Sequence, residues 1–397
     1  MIKYLRTSLS SLLFISFLPV VSGQWNNVSY SLPVDLHSIF FNNEAVGYAV
    51  GDTGTIIKTS SGGTAWNLIS TSENNNFNDI FFTDLLNGYI AGDSGIVLKT
   101  TDGGNTWNIK FSGVSNRLNG LFFVNPDTGF AVGDNGIILK TNDGGDTWTS
   151  VPSPTVYILR AVTFYNNTGF AVGNYGTIIK TSDGGDFWIP QISNSNKTLY
   201  GLSLLNDSIC YVAGDNGTIL KTENAGNNWS LLQSFTNENI KDIYCFENGG
   251  CFAAGSNGII FKSENDTNWI PQISNTTNNI NSVFFLNSDS GYTAGSDGLV
   301  LKTLNGGFNH IKENFEENTV FSLYPNPAVN YIKIEMRQAI PEQKNIISVY
   351  NLIGQMMLQQ TLQQTYTEII ISDFSKGIYF VKIENSENIS LKKFIKE

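Results

Sequence analysis

Gly51-Asp-Thr-Gly-Thr-Ile-Ile-Lys-Thr-Ser-Ser-Gly-Gly-Thr-Ala-Trp66 decides the reading of this chain, because it keeps returning. Its first glycine recurs at Gly51, Gly92, Gly133, Gly173, Gly214, Gly255 and Gly295, in steps of 41, 41, 40, 41, 41 and 40 residues. An inner run such as Asn78-Asp-Ile-Phe-Phe82 precedes each copy and leads to a second run, Gly88-Tyr-Ile-Ala91. A Gly-Asp-x-Gly turn follows, then a third run, Ile96-Val-Leu-Lys-Thr100, a Gly-Gly turn and an outer run from Trp107. Four short antiparallel strands at this period predict a propeller blade. One blade cannot bury both of its faces, so seven copies predict seven blades around an axis.

Closure is legible as well. Trp25 lies one period before Trp66, so the chain opens on an outer strand without inner strands of its own. The stretch from Trp25 to Tyr30 is expected to complete blade seven, where His310 stands in place of the tryptophan. An open ring would leave an unpaired edge. Trp25, Trp66, Trp107, Trp148, Trp188, Trp229 and Trp269 are expected to be scaffold, each burying roughly 150–250 Å². Lys58, Lys99, Lys140, Lys180, Lys221, Lys262 and Lys302 share one position of the third strand. Their stems are expected to lie over an aromatic ring or turn carboxylate of their own blade.

Composition agrees with an all-β exported protein. Only 14% of the 397 residues are charged, while 38 are glycine and 12% are aromatic, which excludes helix bundles and coiled coils. A formal charge of −11 argues against nucleic-acid binding. With only His37, His310 and three cysteines, an all-cysteine zinc site is impossible, and no metal or cofactor is expected. Cys245 and Cys251 flank a short hairpin and can pair in an oxidising compartment, leaving Cys210 free.

Residues 1–23 read as a signal peptide. Lys3 and Arg6 precede a short apolar run from Leu12 to Val21, and Val21-Ser22-Gly23 forms a small-residue cleavage site. That run is too short to cross ~30 Å of hydrocarbon. The mature chain is therefore expected to carry no transmembrane segment.

The turns Thr100-Thr-Asp-Gly-Gly-Asn-Thr-Trp107, Thr141-Asn-Asp-Gly-Gly-Asp-Thr-Trp148 and Thr181-Ser-Asp-Gly-Gly-Asp-Phe-Trp188 resemble the Asp-box, or BNR, repeat. Blade one has Ser61 instead of the acid, and the turn of blade six is one residue short. The whole repeat resembles the photosystem II assembly/stability factor family, and the resemblance implies a non-enzymatic seven-bladed binding propeller over residues 24–312. A polar acidic linker, 313–319, follows. Residues 320–397 carry Ser322-Leu-Tyr-Pro-Asn-Pro-Ala-Val-Asn-Tyr-Ile-Lys-Ile-Glu335 and Lys376-Gly-Ile-Tyr-Phe-Val-Lys-Ile383, and end in Lys392-Lys-Phe-Ile-Lys-Glu397. They resemble a type IX secretion C-terminal sorting domain, a small β-sandwich. The resemblance implies the secretion machinery and a sortase as partners, and delivery through the periplasm to the outer cell surface or beyond. Pro325, Asn326, Pro327, Gly377, Tyr379, Lys392, Lys393 and Lys396 match its recognition blocks.

Candidate functional residues lie where the blades differ. At the entry to the inner strand stand His37, Asn78, Asn119, Arg160, Tyr200, Lys241 and Asn281, with Tyr157 and Tyr175 nearby on blade four. Aromatics beside cations suit an extracellular glycan or protein ligand. Arg117 and Arg160 are the propeller's only arginines, too few for the arginine triad of a sialidase. A glycoside hydrolase would need two carboxylates, for which Asp79 and Asp242 are the pair across the channel. An envelope-assembly factor is the remaining alternative.

Overall fold

A computed structural model describes residues 25–232, 235–266, 268–307, 321–336, 345–351, 356–362, 365–384 and 389–397. The proposed signal peptide, the linker and His310 lie outside the described residues. The chain divides into two compact units, Met1–Asn309 and His310–Glu397.

The first unit contains seven four-stranded antiparallel sheets. Blade one runs Leu36–Phe41, Gly47–Gly51, Ile56–Thr59 and Asn67–Ile69. The other blades repeat this order. The innermost strand of blade one neighbours those of blade two, Phe77–Phe82, and of blade seven, Ile280–Phe285, so the ring is closed. The second strand of each blade is buried along its length, as in Gly47–Gly51, because neighbouring blades cover both of its faces.

Closure follows the expected route. Asn26 and Asn27 pair with Lys302 and Leu301 and complete the sheet of blade seven. Trp25 is 1% exposed and meets Phe252 and Phe285 edge-on, at 6.2 and 5.8 Å. It wedges between blades six and seven as Trp66 does between blades seven and one.

The lysines lie as expected and make a further contact. Each does lie over an aromatic ring of its own blade; Lys58 Nζ is 5.6 Å from the Tyr48 centroid and Lys140 Nζ 5.5 Å from Phe130. Where the ammonium reaches a Gly-Gly turn, however, that turn belongs to the next blade. Lys58 donates to Gly103 O, Lys140 to Gly184 O, and Lys302 to Gly62 O across the closure. The Tyr48 hydroxyl donates to the same Gly103 O at 2.7 Å. Gly104, at φ +71°, lets this turn approach: a Cβ there would come within 2.6 Å of the Tyr48 ring.

Each Asp-box holds its own turn rigid for that contact. Asp102 accepts the amides of Asn105 and Thr106 and the hydroxyls of Thr100 and Thr106. Bonds from the Thr106 amide and hydroxyl hold its carboxyl down at about 2. In blade one Ser61 Oγ accepts the Ala65 amide and lies 3.4 Å from Thr59 Oγ1, so a hydroxyl keeps the turn with fewer bonds. In blade six Asn265 stands at the acid position and accepts the Asn268 amide, while Asp266, in the place of the first glycine, accepts from the Tyr211 hydroxyl and Lys221.

Cys245 and Cys251 face each other on adjacent strands and are joined in a disulfide, while Cys210 is buried and free.

The second unit stacks a three-stranded sheet on a four-stranded one. Phe321, Ile332, Ile334, Ile347, Val349, Val381 and Phe394 fill the space between them. Asn326 ties the Pro325–Pro327 turn to the last strand, accepting the Ile395 amide and donating to Lys393 O. Tyr379 stacks on Phe394 at 5.5 Å, and the Lys392 ammonium lies 5.5 Å from the Phe321 ring. Lys393 is exposed, Lys396 is 8% exposed, and Gly377 opens the strand Gly377–Glu384.

Trp25→Ala removes the wedge at the closure. Equilibrium urea unfolding of the protein should show a loss of about 3–5 kcal/mol; an unchanged midpoint would mean the ring does not rely on its N-terminal strand.

Candidate functional site

Every inner strand carries a β-bulge at the residue singled out by sequence. In blade three Leu118 pairs with Gly133 and Gly120 with Val132, leaving Asn119 without a partner across the ladder. The same shift brackets His37, Asn78, Arg160, Tyr200, Lys241 and Asn281. A bulge re-aims its side chain. Here it turns seven polar side chains of five kinds into the mouth of the central channel, where with Arg117 they line a cavity of about 220 Å³.

Most of these side chains are already engaged. Asn78, Asn119 and Asn281 donate to the backbone carbonyls of Leu118, Leu159 and Leu36 in the next blade. Those three amides are thus partly spent on holding blades together.

A second set of partners went unnoticed in the sequence. The acid that opens each Gly-Asp-x-Gly turn meets the mouth residue of its own blade. His37 bonds Asp52 at 2.8 Å, Asn78 bonds Asp93 at 3.0 Å, Asn119 bonds Asp134 at 3.1 Å, and the Tyr200 hydroxyl bonds Asp215 at 2.7 Å. Arg117 pairs with Asp93 at 2.9 Å. The constant spacing of these acids was the available signal, hidden because it also fits a scaffold turn.

Arg160 and Lys241 depart from this pattern. Blade four has Asn174 at the acid position, and it accepts from Arg160 Nε at 2.8 Å. Blade six has Ser256 there. Among the described residues neither cation has a carboxylate within ion-pair distance. Both instead sit against Tyr200, Lys241 Nζ at 3.7 Å and the Arg160 guanidinium at 5.1 Å from its centroid. Burial pushes both below their usual range.

Asp79 and Asp242 line the channel just below the mouth. Asp79 accepts the Ser38 hydroxyl at 2.7 Å and the amides of Ile80 and Leu121 at 2.9 and 2.8 Å. Asp242 accepts the amides of Ile243 and Val283 at 2.8 and 2.9 Å. Each carboxylate therefore links its inner strand to neighbouring blades. That differs from the two free carboxylates that glycoside hydrolysis asks of them; the wall itself takes up their oxygens. Gly201 makes room, since a Cβ there would meet Asp242 Oδ1 at 2.7 Å. Below them Phe40, Phe81, Phe122 and Phe284 form an aromatic layer, with neighbouring rings 5.1–5.4 Å apart.

Tyr157 and Tyr175 are not part of the mouth. They line a separate groove of about 900 Å³ along blades four and five.

Seven four-stranded blades, clamped by Asp-box turns around a polar mouth, define a BNR-type propeller. The chain belongs to the photosynthesis system II assembly factor YCF48 family, whose model matches residues 19–121 and 112–234. A secretion system C-terminal sorting domain matches residues 322–397 and directs the protein by type IX secretion to the cell surface or outside. No curated protein matches the sequence.

Among solved structures, YCF48 bound to a D1 peptide is 20% identical over 71% of this chain and 97% of that one, with a TM-score of 0.62. YCF48 from Cyanidioschyzon merolae is 19% identical over 70% and 98%, with a TM-score of 0.61. PorZ, a surface component of the type IX secretion system of Porphyromonas gingivalis, is 14% identical over 89% of this chain and 58% of that one, at 0.54. These likenesses show the shared propeller fold. Among the described residues no helix is long and apolar enough to cross a membrane.

Burial raises Asp79 to about 6 and Asp242 to about 7, outweighing their hydrogen bonds. Unfolded aspartate titrates near 3.9, so between about pH 4 and 7 the folded chain holds more protons than the unfolded one. Stability from these two groups is therefore greatest below pH 4 and falls as pH rises through 6–7. Chemical denaturation at pH 5 and pH 8 should differ by an amount on the order of 2–4 kcal/mol. The difference should shrink in Asp79→Asn/Asp242→Asn.

Proposed function

We propose that this protein is a surface-delivered binding module whose propeller mouth takes an acidic group of an extracellular polypeptide. One observation carries the reading: Arg160 and Lys241 are half-buried cations with no carboxylate within ion-pair distance among the described residues, in two of the three blades whose turns lack the acid, at Asn174, Ser256 and Ser296. A carboxylate placed 4 Å from either would gain about 4 kcal/mol at an effective dielectric of 20. The neighbouring pairs, His37 with Asp52 and Arg117 with Asp93, are already matched and would discriminate rather than attract. A cavity of about 220 Å³ suits one side chain or chain terminus, with the rest of the ligand lying across the face. A structure of the family member YCF48 holds a peptide, which supports a polypeptide as the ligand class. The sorting domain supports an extracellular place for the encounter.

Fluorescence anisotropy with a library of labelled acidic peptides and their amidated counterparts tests this. Acidic members should bind and weaken with salt. Arg160→Ala or Lys241→Ala should lower affinity at least tenfold while leaving the melting temperature almost unchanged. Equal binding of amidated peptides, or binding that survives both substitutions, would reject the mouth as the site.

A further inference from the structure

The turn between second and third strands contains one non-glycine residue of left-handed backbone in every blade, just before a glycine: Thr53, Ser94, Asn135, Tyr175, Asn216, Asn257 and Asp297, at φ 53–59°. Six of these are small or polar, as that conformation favours. Tyr175 is the bulky exception, and a bulky residue there is strained. Nothing in the packing compensates, because Tyr175 is 68% exposed. Among the described residues its aromatic neighbour is Tyr157, 49% exposed, with ring centroids 5.0 Å apart and planes inclined by 56°. Tyr157 also stands alone at its position, where the other blades have Val34, Asn75, Asn116, Lys197, Glu238 and Asn278.

The floor beside this corner is a second cavity, of about 470 Å³, lined by Tyr175, Asn196, Lys197, Asp215, Asn216 and Asn239. Its size falls within the roughly 300–1,000 Å³ usual for small-ligand pockets. Asn239 Oδ1 accepts the Asn216 amide, and among the described residues its Nδ2 and the side chains of Asn196 and Asn216 make no bond. Asp215 is occupied by the Tyr200 hydroxyl. Two aromatic faces thus adjoin planar amides that offer donors and acceptors together.

We propose that this corner of blades four and five is a binding subsite for a neutral oligosaccharide. A pyranose ring presents an apolar C–H face to stack on Tyr175 and vicinal hydroxyls that both donate and accept. Side-chain amides match that double demand. The carbonyls of a proline-rich peptide only accept, and would leave the amide oxygens unmet. Lys197 is the lone cation in the pocket, too little to select an acidic sugar. The inference is independent of the polypeptide reading, since the mouth and this pocket share no ligand-facing side chain.

The full exported protein would be screened against neutral oligosaccharides spanning gluco-, manno-, xylo- and N-acetylglucosamine chains. Saturation-transfer NMR and tyrosine fluorescence provide the readout, with a proline-rich decapeptide as the alternative probe. At least one oligosaccharide should bind, and Tyr175→Asn should weaken it at least tenfold while the melting temperature stays level or rises. Tyr157→Ala should weaken it as well, and Lys241→Ala should leave it unchanged. The proposal is overturned by no sugar binding at millimolar concentration, by binding that survives Tyr175→Asn, or by the decapeptide occupying the pocket instead.

Discussion

Everything in the propeller depends on one contact repeated around the ring: the second-strand aromatic of a blade set against the Asp-box-like turn of the next, with the third-strand lysine over its ring. Where the aromatic is a tyrosine one turn carbonyl can accept from both, as Gly103 O does from Lys58 and Tyr48, whereas beside Phe130 only Lys140 donates. A net hydrogen bond contributes about 1 kcal/mol, so no single grip holds the ring. Their effect comes from geometry, since each fixes the angle between neighbouring blades and presses a tryptophan into the gap between them. The Asp-box belongs to this device. Asp102 and Asp143 organise turns that another blade must be able to grasp.

This arrangement concentrates structural work at one end of the channel and releases the other. The grips and the Gly-Gly turns lie at one end of the blades, and the bulged entries lie at the opposite end of the same strands. At the entry end backbone carbonyls, the Tyr200 ring and, in four blades, a turn acid restrain a side chain, so its identity can change from blade to blade. The deeper ring marks where that freedom stops. Ser38, Asp79, Gly120, Ala161, Gly201, Asp242 and Ser282 are all small, because inner strands converge there and Asp79 and Asp242 must reach across to their neighbours.

The period, the count of blades and the role of Trp25 could all be read from the chain, because a closed ring forces a repeat and leaves its mismatch at the ends. The mouth could be read as the positions where the repeat stops agreeing. Other features escaped for physical reasons. A bulge leaves no mark on composition, so nothing showed that Asn119 turns out of the ladder while Gly120 stays in it. Periodicity could not say whether Lys58 reaches its own turn or one 45 residues further on, because the two turns are alike. Tyr157 and Tyr175 fell together with Arg160 in sequence, yet the bulge sends Arg160 inward while the loop and turn leave both tyrosines outside.

The strand at residues 26–27 is made first and paired last. Ser29 bonds Val300 across 271 residues of intervening chain. Until the seventh sheet exists, the earlier blades form an arc with one uncovered flank at each end, and a long loop must be drawn shut to join them. The arc and the ring are thus different objects: one sticky and extensible, the other sealed. A chain interrupted short of residue 300 would lack the strand that residues 26–27 pair with, whatever else had already assembled.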